Sequence, residues 1–253
     1  MCSSDLPLFL WLHYYDPHAP ETRPPGDDIP DFGEQRGDTY DAELIYTDRE
    51  IRRFVEGLRE VRPADRTILV VMADHGEAFD ANHAKQRHGH DLHSVVTHIP
   101  FLVVAPFVTP GPIDMPVTSL DVLPTLVNLL GLSGDFAFEG TSLAPQLLGE
   151  PPPRHRAVYA QFYLPENVAH GKPTLHQAGI RTGDLSYFRD YTTRRDRLFR
   201  YRTDPFEEAD LSKEMPEALK TLKDALTRWQ ARVAPAPKPP TPAKPALPTP
   251  PPE

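Results

Sequence analysis

Ile68-Leu69-Val70-Val71-Met72-Ala73, followed at once by Asp74-His75-Gly76-Glu77, leaves this chain few ways to fold. Six aliphatic residues in a row predict a strand buried on both faces, and such strands belong to parallel sheets. In open α/β sheets the reactive groups sit just beyond the carboxyl ends of the strands, where Asp74 and His75 fall. An Asp oxygen beside a His nitrogen can bind one divalent cation, and Gly76 lets the backbone turn away immediately afterwards. The alternative is structural: Asp74 caps a helix and His75 is a solvated loop residue.

Histidine spacing favours the first reading. Six of the eleven histidines lie between His75 and His98, in the run His75, His83, His88, His90, His93 and His98. Metal binding and proton transfer are the usual reasons to gather imidazoles this way. The single cysteine, Cys2, excludes an intrachain disulfide and a cysteine-rich zinc module, so any ligands are oxygen and nitrogen. A net charge of -9 with no Lys/Arg cluster argues against a nucleic-acid partner. No apolar run reaches the ~18 residues of a membrane span.

Taken in order, residues 1–5 read as a leader that does not belong to the fold. Leu8 to Leu12 form a second apolar run, predicted as a strand, which ends in Asp16-Pro17-His18-Ala19-Pro20, a stiff loop carrying His18. Tyr40, Leu44, Ile51, Val55 and Leu58 share one face of a predicted helix, capped by Asp38 or Thr39 and stopped at Pro63. Strand, helix and strand in that order predict a right-handed parallel crossover. Ile99 to Pro106 is a third strand, and Val122 to Leu130 a helix with Asp121 as N-cap and Gly131 as its stop. Short strands at 157–163, 177–181, 185–189 and 197–202 predict a small antiparallel sheet. A closing amphipathic helix carries Leu219, Leu222, Leu226 and Trp229, the last read as a core anchor. Residues 233–253 hold ten prolines in 21 and read as a disordered tail. The expected domains are 6–150, an α/β portion, and 151–232, a small C-terminal subdomain.

This series of motifs resembles the sulfatases of the alkaline phosphatase superfamily. The likeness rests on Asp16-Pro17-His18-x-Pro20, Asp74-His75-Gly76-Glu77, His88-Gly89-His90-x-Leu92, Ile99-Pro100, Ser119 to Leu126, and Asp204-Pro205-x-Glu207 to Leu211. It implies an α/β fold with a central, mostly parallel sheet, flanking helices, and a smaller C-terminal antiparallel sheet and helix. It implies that Asp74 and His75 are ligands of one divalent cation, calcium in most sulfatases and zinc or manganese in relatives. His18 and His88 would contact the sulfate or phosphate group and its leaving oxygen, with His90 and Lys85 as further substrate contacts. The family's Cys- or Ser-x-Pro-x-Arg segment, source of the formylglycine nucleophile, does not occur here. The chain therefore reads as the C-terminal portion of a sulfuric ester hydrolase, inactive by itself. His75 stands where many arylsulfatases have Asn, as in phosphonate monoesterases and phosphoethanolamine transferases, which keeps phosphoryl chemistry as an alternative. A non-catalytic metal-binding or interaction module is another, and it would leave His18 and His88 far from Asp74. Compartment cannot be read from this sequence.

Overall fold

The structure, a computed structural model, describes residues 7–18, 24, 26, 29–62, 64–79, 88, 91–164 and 175–233. The leader at 1–5 and the proline-rich tail beyond Val233 lie outside the described residues. The chain is α/β, in the order α1 (Arg36–Val61), β1 (Leu69–Met72), α2 (Ser94–Thr97), β2 (Phe101–Val104), α3 (Val122–Leu129), α4 (Ala144–Leu147), β3 (Ala157–Leu164), β4 (Leu175–Thr182), β5 (Leu185–Asp190), β6 (Arg195–Phe199) and α5 (Pro216–Arg232).

Four strands, β3-β4-β5-β6, form an antiparallel sheet in sequence order, and α5 packs on it, as the alternating short strands predict. Its core joins Ala178, Ile180, Tyr187 and Leu198 from the sheet to Leu222 and Leu226 from α5. Leu219 and Trp229 pack against the same cluster. Trp229 is the anchor its spacing suggests, stacked on Tyr159 with ring centroids 4.8 Å apart.

The earlier part departs from the sequence reading in two places. Strand β1 pairs with β2, and the pairing is antiparallel, Leu69 opposite Val104 and Met72 opposite Phe101. A parallel neighbour needs a crossover of a dozen or more residues, usually a helix laid on the sheet. Between β1 and β2 the only described helix is the single turn α2, and the chain doubles back. The long helix instead precedes β1. Its presumed first strand, Leu8 to Leu12, joins no ladder among the described residues and is exposed, Trp11 by 77%.

Helix boundaries differ for local reasons. α1 begins at Arg36 with Gln35 as N-cap, and Asp38 acts from the third helical position, its Oδ2 accepting the Gln35 N–H at 2.9 Å. Asp121 is the N-cap residue of α3 as expected, but its side chain makes no cap bond there; it ends a 3-10 turn, Ser119–Asp121, and accepts the Thr118 N–H at 2.8 Å. Gly131, at φ 62, then closes α3, and the Leu132 N–H reaches back 3.0 Å to Val127 O. The last strand stops at Phe199, because residues 201–203 turn.

Candidate active site

The site is built where β1 ends. Gly76 donates its N–H to Val96 O of α2 at 2.7 Å, and a Cβ at position 76 would collide with Val95 O. Only glycine admits this approach, so Gly76 clamps the exit of β1 against α2, with His75 on one side and Glu77 on the other.

Three imidazoles gather there. The His75 and His88 rings stack with centroids 4.0 Å apart, and His18 lies 5.0 Å from His88 and 6.4 Å from His75. His18 and His88 are thus beside His75, although 57 and 13 residues away in the chain. Asp74 adjoins them, its carboxylate Oδ1 3.7 Å from His75 Nε2 and its side chain 76% exposed. His90 and Lys85 lie outside the described residues.

Two of the three rings, His75 and His88, are held through Nδ1. His75 Nδ1 is 2.9 Å from the Gly76 carbonyl oxygen, which only accepts, so the proton sits on Nδ1 and the lone pair on Nε2. A backbone carbonyl behind the ring is what a metal-ligating histidine usually has. The Nε2 lone pair and Asp74 Oδ1, 3.7 Å apart, are close enough to reach one ion at roughly 2.1–2.5 Å. This donor pair fits a divalent cation. Among the described residues no group of three or more His, Cys, Asp or Glu side chains is arranged to hold a metal ion.

His88 Nδ1 lies 2.9 Å from Glu77 Oε2, and the other oxygen of Glu77 is 3.4 Å from the Arg36 guanidinium. Glu77 is only 4% exposed. A buried carboxylate held by an arginine therefore fixes the His88 ring through Nδ1. The sequence reading named Glu77 only as the last residue of its motif, with no role, and did not single out Arg36. A signal was present: Arg36, Glu43 and Thr47 fall at helical spacing from Tyr40, polar side chains beside a face read only for its apolar residues. Tyr40 carries a hydroxyl raised above the usual range, by burial first and then by Glu77, Asp41 and Glu43. On the same helix, burial and the Asp16 carboxylate push Glu43 up to about 7, against the pull of Arg36.

Fold and histidine cluster together describe an α/β protein that gathers three imidazoles and a carboxylate at the exit of one strand. Comparison with known proteins narrows the class. The Sulfatase family model matches residues 3–132, half of the chain, and the chain belongs to the sulfatase family. An "Uncharacterized sulfatase YdeN" of Escherichia coli (strain K12) is 28% identical over 218 residues, covering 75% of this chain and 38% of that protein. A Delta 4,5-hexuronate-2-O-sulfatase of Bacteroides thetaiotaomicron is 29% identical over 178 residues, 66% of this chain and 36% of that protein. The chain thus spans little more than a third of the length of these relatives. Among solved structures, a 2-O GAG sulfatase superposes with a TM-score of 0.66 at 24% identity, covering 77% of this chain and 42% of that one. The phosphonate monoester hydrolase of Agrobacterium radiobacter gives 0.65 at 20% identity, covering 78% and 41%. Both likenesses establish the fold. Among the described residues no helix is long and apolar enough to cross a membrane.

Proposed function

We propose that this chain contributes the metal-binding and leaving-group side of a sulfate-ester hydrolase site. The observation that carries the reading is the convergence of His18, His75 and His88, with His88 backed by the buried Glu77, in a chain of the sulfatase family. Asp74 and His75 would hold a divalent cation, calcium by family resemblance, and such an ion lowers the charge cost at the oxygens of a bound sulfate. His18 and His88 would contact that sulfate. His88, fixed through Nδ1, would give a proton from Nε2 to the departing alcohol oxygen, so that ester and water yield alcohol and sulfate. His90 and Lys85 would add substrate contacts. The formylglycine nucleophile and the remaining metal ligands would come from the portion of the family fold that this chain does not span.

The test uses the protein encoded by the complete reading frame. With an aryl sulfate as substrate, His88→Ala should lower kcat by about 10²–10⁴-fold, the usual yield of general acid catalysis. Asp74→Ala should abolish calcium binding measured by calorimetry. Full activity in both variants would end this reading. His75, in place of the Asn common in arylsulfatases, favours one second reading, a phosphonate or phosphodiester substrate. A higher kcat/KM on an aryl phosphonate than on the aryl sulfate would establish it.

A further inference from the structure

Glu207 lies far from the histidines in sequence, yet it is fully buried and faces the segment that clamps them. Its Oε2 accepts the N–H of Ser94, the first residue of α2, at 2.8 Å, and His93 Nδ1 lies 3.3 Å from the same oxygen. Its Oε1 is 3.3 Å from the Arg181 guanidinium, which also donates to Ser94 Oγ at 2.8 Å. His93 is fixed from its other side by Arg197, which can only donate, at 2.9 Å from Nε2. Phe188 and Phe199 wall the ring, with centroids 4.7 and 5.5 Å away.

The backbone at Glu207 is itself committed to this contact. Its φ of 53 is left-handed, a region non-glycine residues seldom occupy, and such outliers gather where geometry serves a site. The turn is held by Asp204, whose carbonyl accepts the Glu207 N–H at 3.0 Å and whose carboxylate accepts those of Glu208 and Ala209 at 3.1 and 2.9 Å.

We infer that Glu207 is a positioning residue, which sets the place of His75 and Glu77 by anchoring α2 to the C-terminal sheet. The path is short. Glu207 holds Ser94 at the start of α2; α2 offers Val96 O to the Gly76 N–H; Gly76 joins His75 to Glu77, which fixes His88. A displacement of α2 therefore moves a proposed metal ligand and the support of a proposed acid together. The inference deepens the function proposed above and rests on it for the consequence at the metal.

Three measurements on the purified chain test it: calcium affinity by calorimetry, amide exchange at Gly76 by NMR, and Tm. In Glu207→Gln, calcium affinity should fall about 10-fold or more, the usual effect of disturbing a ligand's support. Gly76 amide exchange should quicken by a similar factor. Asp121→Asn is the control, an equally buried carboxylate whose partners are Thr118, Thr141 and Arg156. It should lower Tm without moving either of the other readouts. Should Glu207→Gln not fold, Ser94→Pro removes the same N–H at a helix position where proline is tolerated, and the same two changes are expected. If the unaltered chain binds no divalent ion, the metal reading fails, and Gly76 exchange alone still decides the positioning role. Unchanged exchange in the variant that folds, or an equal change in Asp121→Asn, overturns it.

Discussion

The C-terminal sheet and the portion that bears the histidines are held together by different forces. In the first, α5 lies across β4 and β5 and buries a continuous apolar cluster. In the second, many large apolar side chains are exposed, among them Leu8, Phe9, Trp11, Leu102, Val104, Leu120 and Leu123. What is buried there is often polar: Asp121, Thr125, His93, Ser94 and Glu43. Buried charges are costly unless paired, so this part depends on individual hydrogen bonds, and two of its ion contacts reach toward the sheet. Arg156, just before β3, meets Asp121 at 2.5 Å, and Arg181 of β4 meets Glu207 beside Ser94. A well-cored sheet serves as the anchor, and the chemistry is mounted on it by charge.

The sharpest challenge to that contrast is Arg156→Met. It takes the guanidinium from a carboxylate that has no exposed surface and keeps only the Thr118 and Thr141 N–H groups, and should cost about 3–5 kcal/mol. Urea unfolding would measure it. The sheet should answer to apolar loss instead: Leu226→Ala, at a fully buried position, should cost about 3 kcal/mol. The two tryptophans fall one in each part, so Trp11→Phe leaves Trp229 as the reporter of the sheet. If Arg156→Met proves nearly neutral while Leu226→Ala is severe, apolar packing dominates throughout and the contrast is lost.

The same contrast explains what could be read from sequence. Strands β3 to β6 and α5 follow local rules, alternation, turns and helical periodicity, and were legible to within a few residues. Asp74, His75, His18 and His88, which lie together in the structure, were singled out because strand exits, a clustered residue type and the family motifs mark them in the chain. Arg36 was not, and Glu77 and Glu207 were noted only as members of motifs with no role assigned, because their meaning lies in pairing across 41 and 113 residues, which no local pattern encodes. The antiparallel pairing of β1 with β2 escaped for a related reason. Both runs are continuously apolar, a pattern that suits parallel strands, whereas direction is set by the connection between them.

Glu43 tests whether buried charge also opposes stability in the histidine-bearing part. Its side chain is buried, its Oε2 has no hydrogen-bond partner among the described residues, and its carboxyl is raised from 4.5 to about 7 by burial, then by Asp16. A carboxyl with a raised folded-state value takes up protons on folding. Stability from this group is therefore greatest below about 4.5, declines between 4.5 and 7, and carries the full penalty above 7. Glu43→Gln should stabilise the chain at pH 8 by on the order of 1 kcal/mol, allowing for solvent screening, and by nothing at pH 4. A difference in urea midpoint that does not change with pH would show Glu43 to be ionised and satisfied in both states.

The smallest effect is expected where the apolar residue is largest. Trp11 is 77% exposed in a run that joins no ladder, so Trp11→Ala should change stability by no more than about 0.5 kcal/mol. Its fluorescence should be that of a solvated indole and be readily quenched by acrylamide, unlike that of Trp229. A contiguous exposed run from Leu8 to Leu12 also favours self-association, so the same variant should raise the concentration at which light scattering first appears. Protection of Trp11 from quencher in a dilute, monomeric sample would mean that this run is packed in solution, and the histidine-bearing part would then have an apolar core of its own.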